Sequence, residues 1–488
     1  MTATTTRHAD LVVVGGGSGG FGAALAAARG GLDVAIIEKS PTIGGNANRC
    51  GVNNWEAVAG ATSFPFEIYR RLKRIPYAVA ISGYGRHFLW DGREAFPGGE
   101  RVIVPDRGYK DTLIRHGAPS LREGEEYAKR NIFGVVFEPA AYEAVLFQML
   151  GETGRCSVLT DTVATAVDVS NGAVQRVELS DGSAIAGSYF LDGTGDAEFC
   201  RLAGCELSSG QEARSTYNEP SAPEEANNRL NASTLMFRVT PRRGESIDPL
   251  PHGISAECWW ADRFPAVSCV TFPNGDRNMN MLPTMEGREY LEMGHEAAYA
   301  ESVRRVYATW RWCQREYPEF RRFRMHSIAP SIGVRETYRV IADYMLTEHD
   351  VRRGVSDSPH PDVIAIADHS LDRHGTNGGA RELTEPFGVP FRSLLPKGFA
   401  NLAVACRAAG FSSVAASSCR LSRTMMQLGH AAGTAAAIAF RHDLPLADVS
   451  STELQGELRA EQVQLEWPTP EALRRRLEEE EWTFTRAL

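Results

Sequence analysis

The sequence predicts an α/β fold: a parallel sheet carrying a small antiparallel meander, with an α+β domain inserted into it. Three observations predict it. A short apolar strand runs into a glycine cluster, an Ala-rich helix and a second strand, all before residue 40. Several β-rich runs between 157 and 192 are separated by Asn171-Gly172 and Asp181-Gly182, both strong turn signals. A buried strand at 401–405 precedes a second Ala-rich helix at 421–441.

Residues 11–14 are Leu-Val-Val-Val, a run apolar on both faces, as expected of a buried parallel strand. Residues 21–29 read as a helix that Gly30 and Gly31 can end. Residues 33–38 form a second strand, apolar and then abruptly acidic, which completes a βαβ unit. The stretch 60–130 is rich in Gly, Pro and aromatic residues without periodicity, so 76–129 is expected to be an irregular excursion. A helix is expected at 140–150, then the meander, whose last strand at 189–191 leads into Asp192-Gly193-Thr194-Gly195-Asp196. After residue 207 the composition changes: a polar loop at 207–228, a strand at 234–239 and a helix over 296–324. A polar surface helix at 469–481 carries the acidic run 478–481, read as a solvated face. The expected organisation is a discontinuous nucleotide domain from 1–75, 130–206 and 386–450, a substrate or cap domain at 207–385, and a helical tail at 451–488.

Composition narrows the function. The 488 residues hold 52 Lys plus Arg against 61 Asp plus Glu, a formal charge of −9. That balance argues against nucleic-acid partners, which need a cationic surface. Nine scattered cysteines without a C-x-x-C pair fit reduced thiols, not a disulfide framework or a metal site, and no metal is expected. The N-terminal segment is polar and its first apolar run is too short for a signal or a membrane span, so a cytoplasmic protein is expected.

The glycine cluster carries the most specific signal. Gly15, Gly17 and Gly20 satisfy G-x-G-x-x-G between a strand and a helix. Gly15 permits the tight turn, Gly17 lets the backbone approach a pyrophosphate, and Gly20 lets the helix lie close to the strand. Ser18 and Gly19 open a helix N-terminus that offers N–H donors to an anion. Glu38 closes the second strand, where a carboxylate accepts bonds from ribose hydroxyls, and Lys39 follows it. This is the fingerprint of a Rossmann-like dinucleotide site. Gly44 and Gly45, followed by Asn46, and the later Thr194-Gly195-Asp196 favour FAD over NAD. The middle block has no second fingerprint, so no separate nicotinamide domain is expected.

Residues 11–46 resemble the N-terminal segment of glutathione-reductase-like flavoproteins. More specifically, the chain resembles the bacterial FAD-dependent oxidoreductase family. The resemblance is carried by GGGSGG, AAARGG, VAIIEKS and GGN, then by FLDGTGDAEFCRLAG, GVRETYRVIADYMLTEHD, VPFRSLLPKGFANLAVACR and SCRLSRTMMQLGHAAGTAAAIA, in that order. It implies that Gly15, Gly17, Gly20 and Glu38 hold the ADP half of FAD. Val163 would contact the adenine region, and Gly195 and Asp196 would flank the pyrophosphate. The segment from Arg407 to Met425 and Met426 would return to the flavin. Cys406 departs from the family, which usually has Gly before the equivalent of Arg407; a small buried residue is the expected reading.

The flavin carries the redox chemistry, so the protein must supply acid/base and anion-binding groups. Asp368, His369, Asp372, Arg373 and His374 share a polar loop bounded by Gly375, Gly378 and Gly379. His374 is either the base that takes a substrate proton or a solvated loop residue. Arg335, Arg339 and Arg392 are candidates to hold a substrate carboxylate, or else form ion pairs with residues such as Glu336 and Asp343. Cys50 is expected to be inert and His430 packed, while Trp259, Trp260 and Phe264 line a pocket or belong to a core. The expected function is hydride transfer between a small organic substrate and FAD. The alternative is a flavin monooxygenase using oxygen and an external reductant. An external electron acceptor or reductase and an oligomer are compatible with either.

Overall fold

The apolar run after Asp10 becomes the central strand of a seven-stranded sheet. In the computed structural model, which describes residues 6–84, 88–89, 100–117, 125–258, 266–280, 284–375 and 379–485, this strand spans Thr6–Val14. It pairs in parallel with Val34–Ile37 on one side and Ala184–Asp192 on the other, and Val34–Ile37 pairs with Cys156–Leu159. The other edge of Ala184–Asp192 is shared. Its first residues pair antiparallel with Ala173–Leu179, which pairs with Ala164–Ser170; its last three pair in parallel with Leu402–Val404. Asn171, Gly172 and Gly182 take the positive φ that the meander turns demand.

Two small-residue helices clasp one face. Ser18–Arg29 and Ser422–His442 approach so closely that a Cβ on Gly429 would stand 1.9 Å from the Gly19 carbonyl oxygen, and one on Gly433 2.2 Å from that of Ala23. Alanine and glycine therefore decide how near residues 420–425 come to the glycine loop.

Among the described residues the second sheet has nine strands. Phe323–Ile328, Phe237–Pro241, Arg277–Asn280 and Ala266–Thr271 come from the middle block. They continue into Glu100–Ile103, Val79–Tyr84, Phe133–Phe137 and Asn54–Trp55, and Phe88–Leu89 adds to Ala266–Thr271. This corrects the expectation that 76–129 is irregular. Val79–Tyr84 and Glu100–Ile103 pair with each other, and each also pairs with a strand outside the segment, as Glu100 does with Cys269. The helix expected over 296–324 spans His295–Glu316; Pro318 disfavours the helical conformation of Tyr317, and a strand follows. Trp259, Trp260, Phe264 and Gly378 lie outside the described residues. Among the described residues, no helix is long and apolar enough to cross a membrane.

Candidate functional site

The carboxyl ends of Thr6–Val14, Ala184–Asp192 and Leu402–Val404 deliver Gly15, Gly193 and Cys406 to one cavity of about 770 Å³, the usual ligand position in an open α/β sheet. Gly15 has φ +98°, and a Cβ there would stand 2.6 Å from the Gly193 carbonyl carbon. Gly15, Gly17, Ser18 and Gly19 all line the cavity, and no side chain caps the helix that starts at Ser18. Its first N–H groups therefore remain for an anion. Gly20 does not line the cavity: a Cβ on it would reach 1.9 Å from the Gly15 carbonyl oxygen, so it spaces helix from strand.

Glu38 lines the same end, although its carboxylate already accepts the N–H groups of Gly16 (2.7 Å) and Ser40 (2.8 Å). Lys39 pairs with Glu198 at 2.7 Å, and an exposed Val163 lies along the wall. Gly45, with φ +52°, crosses the fingerprint so closely that a Cβ would meet the Gly17 Cα at 3.0 Å. Gly45 and Asn46 line the cavity, whereas Gly44 packs beside Tyr142. Asp192, fully buried, accepts bonds from the Thr194 N–H and hydroxyl and from the Cys200 N–H, which shapes the turn that presents Thr194, Gly195 and Asp196. Asp196 accepts from Arg407 and from the Thr337 hydroxyl, both at 2.6 Å. Met425 lines the cavity, whereas Met426 is buried against Gly22 of the first helix. Cys406 is buried in the wall, its thiol pushed up to about 12 by burial. Cys50 is similar at about 11 and donates to the Asn46 side chain and the Ile332 carbonyl, so it stays a protonated thiol.

The other end of the cavity is built from charged side chains. Asp372 accepts from His374 Nε2 at 2.6 Å and from Arg420 at 3.1 Å. Burial opposes its charge, but His374 and Arg420 outweigh it and hold the carboxyl well below the usual range. Burial lowers the pKa of His374, with Asp372 opposing, so its imidazole is neutral at pH 7. An ionised Asp372 accepts a hydrogen bond from Nε2–H and so leaves the Nδ1 lone pair as the basic site. His369, pushed to about 4 by burial and then by Arg420, is also neutral and lines the cavity. Glu56 lies between Arg101 (3.2 Å) and Arg115 (3.3 Å), which overcome burial and hold it at about 2. Arg115 also donates to Glu382 and to the Tyr84 hydroxyl, and Arg101 stacks 3.4 Å from the centre of the Tyr84 ring.

The structure sorts the predicted chemistry. His374 and Arg335 line this end; Arg373 does not, and donates instead to the Ser221 carbonyl. Arg339 forms buried ion pairs with Glu212 and Glu336, and Arg392 pairs with Asp362, not with Asp343. Asp368 is structural: it accepts the N–H groups of Ala59, Arg115 and His116. His430 is packed, stacked 3.9 Å from Phe64. Glu56, Tyr84, Arg101, Arg115, Ser370 and Arg420 were not anticipated; four of them lie at 56–115, where strand pairing itself was illegible. Among the described residues no acidic, His or Cys cluster is placed to hold a metal.

Glycine at each close approach, an uncapped helix N-terminus and a carboxylate at the second strand's end fit a dinucleotide. The chain is 51% identical over 47 residues to soluble pyridine nucleotide transhydrogenase of Marinomonas sp. (strain MWYL1), 10% of each chain. It is 48% identical over 48 residues to dihydrolipoyl dehydrogenase of Manduca sexta, again 10% of each. It thus spans about a tenth of the length of these curated relatives. A geranylgeranyl bacteriochlorophyll reductase-like structure from Thermoplasma acidophilum is 14% identical with a TM-score of 0.47, covering 98% of this chain and 97% of that one. A flavoprotein/dehydrogenase structure from Cytophaga hutchinsonii is 11% identical with a TM-score of 0.45, covering 93% and 84%. The family model described as FAD dependent oxidoreductase matches residues 10–458, a span that contains every residue lining the cavity; the chain belongs to that family, and its cofactor is FAD.

Proposed function

We propose that this enzyme exchanges a hydride with a small organic substrate bound at the charged end of the cavity, with the His374–Asp372 pair as its acid/base group. The observation that carries the reading is the 2.6 Å contact between His374 Nε2 and Asp372, opening onto the same cavity as the glycine fingerprint. When bound, FAD supplies a two-electron acceptor or donor. Gly15, Gly17, Ser18 and Gly19 hold its diphosphate, and Glu38, Lys39 and Val163 flank its adenosine. Gly45, Asn46, Thr194, Gly195, Asp196, Arg407 and Met425 line the remaining length, while Gly20, Gly44 and Met426 support that wall from behind. His374 takes a substrate proton at Nδ1, and the ionised Asp372 stabilises the imidazolium. We assign the seven-stranded sheet to the cofactor and the nine-stranded sheet to the substrate. The fingerprint and the short relatives support a glutathione-reductase-like nucleotide half. Nine free thiols support a reducing compartment such as the cytoplasm, and an external acceptor or reductase closes the cycle.

The test is anaerobic. A substrate that bleaches the flavin without oxygen supports this reading. Bleaching by NADPH followed by an oxygen-dependent product replaces it with a flavin monooxygenase.

A further inference from the structure

Four arginines line the charged end of the cavity: Arg101, Arg115, Arg335 and Arg420. Three have carboxylate partners, namely Glu56 for Arg101 (3.2 Å), Glu382 for Arg115 (2.8 Å) and Asp372 for Arg420 (3.1 Å). Arg335 differs. Its hydrogen bonds both leave from Nη1, to the Ala232 carbonyl at 2.7 Å and the Thr234 hydroxyl at 2.8 Å. No carboxylate among the described residues pairs with it. Burial and then Arg420 outweigh the nearby Asp372 and Glu56 carboxylates, neither of which pairs with it, and push this guanidinium down to about 9.

We infer that the substrate is a monocarboxylate whose carboxylate docks on the Nε–Nη2 edge of Arg335; this rests on the reading of the charged end as the substrate site. The edge left free is the planar two-donor fork that matches a carboxylate. One uncompensated guanidinium balances one negative charge, whereas a phosphate monoester brings about −1.5 to −2. Arg335 also lies among Glu56, Asp372 and Arg420, not at the fingerprint, which separates this anion site from the cofactor's diphosphate.

The test uses the FAD-loaded enzyme with acetate, acetamide and inorganic phosphate as probes. Calorimetry reads binding and the visible flavin absorbance reads proximity to the ring. Acetate should bind saturably and shift the flavin spectrum, and acetamide and phosphate should not. Arg335→Gln should weaken acetate by about tenfold or more, the weight of one charge-assisted hydrogen bond, with FAD occupancy and melting temperature unchanged. Arg335→Lys, which keeps the charge and loses the fork, should fall between the two. The inference is overturned if acetate does not bind or binds Arg335→Gln equally well. It is also overturned if phosphate binds better than acetate, or if either variant loses FAD. Arg335-dependent acetate binding that leaves the flavin spectrum untouched would keep the carboxylate site and discard the reading of this end as the place of chemistry.

Discussion

At the fingerprint end the cavity wall is mostly backbone: Gly15, Gly19 and Gly45 are held by positive φ or by contacts a side chain would not survive, and Gly17 lies beside them. At the charged end it is side chains from seven separate segments, around Glu56, Tyr84, Arg101, Arg115, Arg335, 369–374 and Arg420. The first end resists substitution through sterics. The second is held by mutual charge between side chains. Mutations should therefore separate cofactor retention from chemistry.

The largest separation is expected at His374. His374→Ala should keep FAD bound and slow anaerobic flavin reduction by roughly 10²–10⁴-fold, the usual span for a general base; loss of FAD would show that the two ends are one cooperative unit. The wild-type pH profile sharpens the point. Only the neutral imidazole accepts a proton, and burial lowers its pKa below the free value of 6.5. Flavin reduction should then be flat near pH 7 and fall as the pH drops through that lowered value, whereas an acid limb centred above pH 6.5 would contradict it.

Next in size is Glu38→Ala, which strands the buried N–H groups of Gly16 and Ser40 at a cost of about 1.5–3 kcal/mol per charge-assisted bond. It should release FAD and lower the melting temperature, and unchanged FAD occupancy would remove Glu38 from the cofactor wall. Gly19→Ala should cost about 1–3 kcal/mol, because its Cβ would stand 1.6 Å from the Ala405 carbonyl oxygen. Denaturant titration would read that loss together with weaker FAD retention. Smallest is Arg373→Ala. Among the described residues this side chain hydrogen-bonds to the Ser221 carbonyl outside the cavity, so stability should shift by about 0.5 kcal/mol or less and flavin reduction hardly at all.

The same contrast explains what the sequence could reveal. The βαβ unit and its glycines were legible because a tight turn, a helix start and a strand end follow one another within 40 residues, each with its own residue preference. Asn171-Gly172 and Asp181-Gly182 exposed the meander for the same reason. Arg101 and Arg115 were invisible, since each acquires a role only when Glu100 meets Cys269 across the second sheet and Asp368 fastens Arg115 and His116. His374 was found through its loop composition, but the same logic nominated its neighbour Arg373. Alternation of side-chain direction along the short strand Leu371–Arg373 puts Asp372 in the cavity wall and leaves Arg373 outside it.

A crystal structure of the FAD-loaded enzyme would measure the separation on which everything here depends, that between the His374 imidazole and the flavin ring. We expect the adenosine beside Glu38 and Val163, and the His374 Nδ1 facing the ring across a gap that one small substrate fills. An imidazole remote from the ring, or a flavin directed away from Arg335 and His374, would contradict a cavity with a cofactor end and a chemical end.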